Sequence, residues 1–310
     1  MARYLERAEH TARVVDVHLN LMLDQATVSG DRRWGRVMAS LSYPIPRDHV
    51  ASTISVAESL IFDHDVRSSI VSCIMSAREN ARQVREQIST EMWEQLNRLF
   101  HEVRRVSFEE DRDAHPVEFL EAVKHGTLTF HGMTDSSMSH GEGWQFIQIG
   151  RYLERAKSIA TLLDVHFSEF DRAIDRPPDA ADHLEWIGLL RACAAFEAYV
   201  KTYTADLTPD RIAEFLLLNP EFPHSVRFAV EMLQIALNSL PEATSNRKGS
   251  SRVSRLAGRL RAGLSFTQID EIMSGGIHLH LENIQRQCSQ IHSAAYQGYI
   301  DYPIDSALLA

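Results

Sequence analysis

The chain has 310 residues, 44% of them hydrophobic and 24% charged, which is typical of a water-soluble globular protein with a large buried core. Its 32 basic and 42 acidic residues give a formal net charge of −10, which argues against nucleic acid and anionic lipid as partners because cationic surfaces gather both. The three cysteines are widely spaced and no apolar run approaches the roughly 20 residues that span a bilayer, so we expect a cytoplasmic protein that does not enter the membrane.

Helical periodicity dominates the chain, whereas strand-like alternation is scarce and proline and glycine fall between the helical runs. The predicted helices span residues 2–26, 31–42, 48–61, 66–103, 116–138, 142–172, 181–204, 208–217, 223–240, 251–262 and 266–300. Residues 43–46, 175–178 and 241–250 are predicted loops, and the stretch 242–250 is the one we expect to be most mobile. The sequence therefore predicts an all-α multi-helix bundle.

The first predicted helix returns in the middle of the chain. Residues 3–18 and 151–166 share 10 identities in 16 positions without a gap, beginning with the hexapeptide RYLERA. Unrelated stretches of ordinary composition would share roughly one. Weaker matches follow, with Trp34 against Trp186 and residues 60–63 against 216–219. We predict an internal duplication: two helical repeats, residues 1–130 and 131–310, related by a pseudo-two-fold axis and packed into one compact domain.

The two copies differ at their start. An apolar lead-in, residues 143–149, precedes the second copy of the repeated helix, while the first copy begins at Met1. We therefore expect that a lead-in of about four helical turns or fewer is missing from the first copy.

The charged turn of the repeated helix is predicted to be buried, because Val14, Val17 and Leu21 continue its polar side with apolar residues. Buried charges must be paired, so a pseudo-two-fold would bring the glutamate of each copy to an arginine of the other. Two interpretations remain open: a charged layer that only fixes how the halves dock, and a polar pocket for an anionic ligand. The residues concerned are Arg3, Glu6, Arg7, Arg151, Glu154 and Arg155.

A second arginine cluster lies on the predicted helix 66–103. Arg78, Arg82 and Arg85 are spaced to line one helix face, where three guanidinium groups could clamp a phosphate or carboxylate. The same residues would be an ordinary solvated face if Glu79 and its neighbours pair with them. We retain Arg78, Glu79, Arg82 and Arg85 as candidates for binding an anion or a partner.

Residues 132–140 are predicted to be a short polar segment between two long helices. Asp135, Ser136, Ser137 and Ser139 could cap the following helix, or could bind an anion at its N-terminus. The segment precedes the second copy of the charged helix, so a ligand pocket would draw on both.

The catalytic and metal-binding templates are missing from the sequence. The 15 histidines form no HExxH motif, and there is no P-loop, no GxGxxG after a strand and no GxSxG elbow. We therefore expect no metal, no cofactor and no independent nucleotide chemistry.

Three separated motifs, in this order, resemble the bacterial alpha-E domain family. They are the repeated ERA helix, residues 76–86, and residues 132–139 leading to Trp144 and the Gly150-Arg151 pair. The resemblance covers nearly the whole chain and implies an all-helical domain named for its ER motif. It also implies partners, since members of that family are encoded with, or fused to, circularly permuted ATP-grasp proteins and transglutaminase-like peptidases.

The resemblance, together with the missing catalytic template, predicts a non-catalytic accessory partner of an ATP-grasp amide or peptide ligase that modifies peptides or amino-acid derivatives. A transglutaminase-like peptidase is a second expected partner, and self-association into a homo-oligomer stays open. The alternative is an enzyme with its own site between the repeats, in which a glutamate of the ER motif is the general base for a small anionic or peptide substrate. Arginine pairing lowers a glutamate pKa, which favours the first hypothesis.

Overall fold

The computed structural model describes residues 1–24, 30–43, 53–108, 116–170, 180–204, 206–240 and 247–299. Its first half contains α1 (Ala2–Asp24), α2 (Gly30–Ser40), α3 (Thr53–Phe62), α4 (Ile70–Gln83), α5 (Thr90–Phe108) and α6 (Pro116–Ser137). Its second half contains α7 (Glu142–Phe170), α8 (Ala180–Ala192), α9 (Phe196–Tyr203), α10 (Pro209–Leu218), α11 (Val226–Asn238), α12 (Arg247–Phe266), α13 (Ile269–Gly275) and α14 (Ile277–Tyr299). No strand occurs in these ranges, and none of their helices is long and apolar enough to cross a membrane. The predicted all-α class is confirmed.

The helices α1 and α7 lie at the centre of the bundle and pack against each other. Helix α1 also packs against α4 and α6, and α7 packs in the same manner against α11 and α14. On the outside, α5 packs against α4 and α6, while α12 packs against α11 and α14. Two short helices pack on the central helix of the other half of the chain: α8 packs mainly on α1, and α2 packs mainly on α7. The two halves of the chain therefore interlock.

The turns that lead into α4 and α11 have the same hydrogen bonds. Ser69 caps α4 through its hydroxyl, which accepts from the Ser72 amide at 3.2 Å, and Ser225 caps α11 by accepting from the Phe228 amide at 3.0 Å. Six residues before Ser69, the Oδ1 of Asp63 accepts from the backbone amide of Asp65 at 2.9 Å. Six residues before Ser225, the Oδ1 of Asn219 accepts from the backbone amide of Glu221 at 2.8 Å. These turns follow the segments that the sequence aligned, residues 60–63 and 216–219.

Three long predicted helices are broken in the structure. The predicted helix 66–103 starts only at Ile70, and α4 is separated from α5 by a 3-10 turn at Arg85–Gln87. Ala194, at φ +52°, separates α8 from α9 within the predicted helix 181–204. Gly276, at φ +91°, separates α13 from α14 within the predicted helix 266–300. The helical spacing of apolar residues continues across each break, because the helices on both sides bury an apolar stripe, so the spacing alone predicts one long helix.

The predicted mobile loop is wrong at its C-terminal end, since α12 begins at Arg247 and continues past the predicted limit of 262 to Phe266. The remaining residues of that loop, 241–246, lie outside the described residues, as do the predicted loop residues 44–46 and 175–178 and the predicted helical residues 25–26, 48–52 and 171–172.

Candidate functional site

The charges of the repeated helix meet where α1 packs against α7. We call these six residues, Arg3, Glu6, Arg7, Arg151, Glu154 and Arg155, the charged layer. The side chains of Glu6 and Glu154 are only 4% and 5% exposed. Each glutamate binds arginines of the opposite helix, so the layer joins the two halves of the chain.

Glu154 binds two arginines. Arg7 Nε donates to Oε1 at 2.6 Å and Arg3 Nε donates to Oε2 at 2.8 Å, so each carboxylate oxygen has its own guanidinium. Arg3 also donates through Nη1 to the Nε2 of His292, on α14, at 2.8 Å. We call Arg3, Arg7, Glu154 and His292 the closed cluster, because its arginines bind both carboxylate oxygens and its histidine has a hydrogen-bond partner.

Glu6 binds a single arginine as a fork. Arg155 Nε donates to Oε1 at 2.5 Å and Nη2 donates to Oε2 at 3.0 Å, while Nη1 donates to the Pro223 carbonyl at 3.1 Å. Arg151 Nε stays 3.9 Å from Glu6 Oε2, beyond hydrogen-bonding distance. His131, on α6, has its Nε2 at 3.8 Å from the same oxygen. We call Glu6, His131, Arg151 and Arg155 the open cluster.

Buried nitrogen atoms of the open cluster lack hydrogen-bond partners. Both ring nitrogens of His131 and the Nε of Arg151 are buried without a partner within hydrogen-bonding distance, and so is the Nε2 of the neighbouring His10. Buried polar atoms in folded proteins are nearly always paired, with protein, water or a ligand. The open cluster therefore has unused hydrogen-bonding capacity.

The two clusters contain the same residue types at equivalent places. Arg151, Glu154 and Arg155 follow Arg3, Glu6 and Arg7 by 148 residues. Asp16 and Asp164 are also 148 residues apart, and they accept from Lys124 of α6 at 2.7 Å and from Gln285 of α14 at 2.9 Å. His131 and His292 each lie seven residues after that donor.

A column of polar residues joins the open cluster to the surface. Asp135 lies one turn after His131 on α6, and its Oδ1 accepts from Gln148 Nε2 at 3.2 Å and from Trp144 Nε1 at 3.3 Å. Its Oδ2 is 3.9 Å from Arg151 Nη1. The Trp144 ring is stacked on the ring of His140, with centroids 4.1 Å apart. Asp135 is therefore a half-exposed carboxylate beside the partly buried Arg151.

Helix α6 continues to Ser137, in agreement with the predicted helix 116–138, so only the end of the predicted polar segment 132–140 lies outside a helix. The Asp135 side chain binds α7, and Ser137 donates to the Met133 carbonyl at 2.9 Å and contacts Ser89 at 2.8 Å. Ser136 and Ser139 are exposed.

The three arginines predicted on one helix face do not share it. Helix α4 ends at Gln83, so Arg85 lies in the 3-10 turn, where it donates to the Ile88 carbonyl at 3.2 Å. Arg78 donates to Asn97 at 2.7 Å, and Arg82 pairs with Glu79 at 2.8 Å on the exposed surface. These contacts match the solvated-face interpretation for Arg82 and Glu79.

The pKa shifts of the buried groups argue against acid-base catalysis by them. Burial acts to raise the pKa of Glu154, but Arg7 and Arg3 outweigh it and hold that pKa below its usual value. Burial, together with Arg151 and Arg155, holds the pKa of His131 well below the ordinary value, and burial lowers the pKa of His10 to about 4. A general base works best with a pKa near the working pH, and these three groups are shifted away from it.

The described residues contain neither a cluster of metal-binding side chains nor an exposed cysteine. Within the described ranges, no group of three or more His, Cys, Asp and Glu side chains is placed to hold a metal ion. Cys73, Cys193 and Cys288 are buried, and burial raises the pKa of each thiol to about 12. Such thiols are inert at neutral pH.

Comparison with known proteins identifies the family. The Alpha-E family, described as an alpha-helical domain with a conserved ER motif, matches residues 1–300. Uncharacterised proteins of Mycobacterium bovis and of two Mycobacterium tuberculosis strains are 25% identical over 307 residues, covering 92% of this chain. The match covers 34% of each relative, so the chain spans about a third of their length. No solved structure matches significantly. With its ER dipeptides at Glu6-Arg7 and Glu154-Arg155, the chain belongs to the Alpha-E family.

Proposed function

We propose that this protein is the non-catalytic helical partner of an ATP-grasp amide or peptide ligase, with a transglutaminase-like peptidase as a second partner. The resemblance to the Alpha-E family implies these partners. The observation that carries the proposal is the length of the relatives: a match over 34% of each leaves about two thirds of it outside the helical domain. A fold that occurs as one part of a much longer protein is suited to work beside other domains.

The geometry of the charged layer supports a holding role. Glu154 has both carboxylate oxygens bound by arginine, and its lowered pKa makes it a poor general base. The alternative, an enzyme that uses an ER-motif glutamate as base, is therefore disfavoured for Glu154, and both oxygens of Glu6 are already hydrogen-bonded to Arg155. Arginines held in place by packing suit the binding of an anionic group instead.

We also propose that the protein arose by internal duplication of one helical unit. The partners of α1 and α7 correspond one to one, and the capped turns before α4 and α11 have the same hydrogen bonds. On this proposal the boundary between copies lies after Ser137, because residues 130 and 131, where the sequence placed it, are both inside α6.

Purification of the tagged protein from the source bacterium under mild lysis tests the partnership. We expect an ATP-grasp protein to co-purify. Its ATP-dependent amide formation with amino-acid acceptors, followed as ADP release, should be higher with the chain than without it. A chain that purifies alone, or a ligase that is indifferent to its addition, would count against the proposal. Amide formation by the chain alone would favour the enzyme alternative.

A further inference from the structure

The closed and open clusters differ in how far their arginine side chains are exposed to water. In each cluster two guanidinium groups face one buried carboxylate, and in the open cluster the half-exposed carboxylate of Asp135 also lies 3.9 Å from Arg151. The arginines of the closed cluster, Arg3 and Arg7, have side chains 28% and 29% exposed, so solvent can balance the excess charge. The arginines of the open cluster, Arg151 and Arg155, are only 14% and 4% exposed. A positive charge is costly where water is scarce, and the carboxylates of Glu6 and Asp135 both stay 3.9 Å from Arg151, so the open cluster favours an anion that can bind more closely.

The hydrogen bonds of the open cluster show where the anion would bind. Arg155 binds both oxygens of Glu6, whereas Arg151 Nε lies 3.9 Å from Glu6 Oε2 and has no acceptor within hydrogen-bonding distance. His131 is buried beside it with both ring nitrogens unpartnered. In the closed cluster the equivalent residues, Arg3 and His292, are hydrogen-bonded. The same set of residue types is therefore complete in one cluster and incomplete in the other.

We infer that the open cluster is a binding site for a carboxylate ligand, held by Arg151 and His131. The planar guanidinium of Arg151 pairs with a carboxylate through two parallel hydrogen bonds, and a neutral imidazole adds one N–H donor. Once Asp135 is displaced, the cluster has a single excess positive charge, which matches a monoanion better than a phosphate dianion.

Asp135 occupies the mouth of this site in the absence of ligand. Its carboxylate approaches Arg151 to 3.9 Å and its side chain is half exposed, so a ligand carboxylate can take its place by displacing it toward solvent. The stacked rings of His140 and Trp144 lie beside the mouth and offer an aromatic wall to the rest of the ligand. The site itself follows from the contacts of Arg151, whereas naming its ligand as the free carboxylate of an amino acid or peptide rests on the proposed ligase function.

Calorimetric titration of the isolated full chain tests the site without any partner, so its outcome is separate from that of the ligase proposal. The probes are N-acetylglycine, acetate and inorganic phosphate, with sodium chloride holding the ionic strength constant. We expect saturable binding of the two carboxylates and weaker binding of phosphate. Arg151→Gln should weaken carboxylate binding by about tenfold or more, as expected for loss of a charge-assisted hydrogen bond.

Two further variants provide controls. Arg3→Gln, at the equivalent position of the closed cluster, should bind the carboxylates like the wild type. Asp135→Asn removes the competing carboxylate and should strengthen binding by about threefold. This surface change also keeps the test decisive if Arg151→Gln does not fold, which far-UV circular dichroism will show. The inference is overturned by a wild type that binds no carboxylate, by equal loss in the two arginine variants, by preferred phosphate binding, or by an Asp135→Asn variant that binds no better.

Discussion

Glu6→Gln is the substitution with the largest expected effect on stability, because it preserves the shape of the side chain and removes the charge that Arg155 binds. Arg155 is almost fully buried, and its other hydrogen bond is to the neutral Pro223 carbonyl. The variant therefore leaves a buried guanidinium without its counterion. Breaking a buried ion pair by removing one partner costs about 3–5 kcal/mol.

Glu154→Gln is the matched comparison. Arg3 and Arg7 are more exposed than Arg155, so water can hydrate them once the carboxylate is lost. We expect a smaller loss of about 1.5–3 kcal/mol, the range for hydrogen bonds to charged groups. Glu79→Gln breaks a pair on the surface and should leave the unfolding midpoint unchanged.

Thermal and urea unfolding, followed by circular dichroism, measure these differences. At about 2–4 °C per kcal/mol, the Glu6→Gln variant should unfold roughly 6–20 °C below the wild type. The double variant Glu6→Gln/Arg155→Gln should recover part of this loss, because no buried charge is left unpaired. The reasoning is refuted if Glu6→Gln unfolds like Glu79→Gln, or if the double variant is as unstable as the sum of its single changes.

Three other predictions concern separate parts of the molecule. Burial lowers the pKa of His10 from 6.5 to about 4 in the folded chain. As the pH falls from 6.5 toward 4, His10 is therefore protonated in the unfolded chain but not in the folded one, and the free energy of unfolding decreases. His10→Gln should make that fall shallower in urea unfolding; an unchanged slope would contradict the burial. Gly276→Ala should lower the free energy of unfolding by about 1–2 kcal/mol, because residue 276 has a positive φ. Gly275→Ala is the control and should not lower it, because residue 275 is helical and a Cβ there would meet no other atom. Equal effects of the two changes would argue against the break between α13 and α14. Finally, a thiol reagent such as Ellman's reagent should react with the three cysteines only after denaturation, and prompt reaction of the native protein would contradict their burial.

The fold class and the positions of the long helices could be predicted from the sequence because apolar periodicity reports which residues face a core. The helix breaks could not. Ala194 carries no turn signal, and a positive φ is uncommon for alanine. The break after Gln83 depends on contacts made later in the chain, such as the bond from Arg85 to the Ile88 carbonyl. The break at Gly276 is an exception, because the Gly275-Gly276 pair marks a break in the sequence although the predicted helix 266–300 runs across it.

The charged layer was visible in the sequence because the repeated helix carried the same charges twice. The sequence did not settle which arginine binds which glutamate, since the fork from Arg155 depends on the spacing of α1 and α7. His131 and His292 were missed, because α6 and α14 share too little sequence to align. Only the contacts of Asp16 and Asp164 place the two histidines at equivalent turns.

A crystal structure of the wild-type protein grown with N-acetylglycine, at a resolution that shows bound ions, is the most direct test of the account. We predict Glu154 between Arg3 and Arg7, Glu6 held by the Arg155 fork, and the ligand carboxylate on Arg151 in the place of Asp135. Arg151 bonded directly to Glu6 with no anion beside it, or the four arginines turned into solvent, would contradict the account.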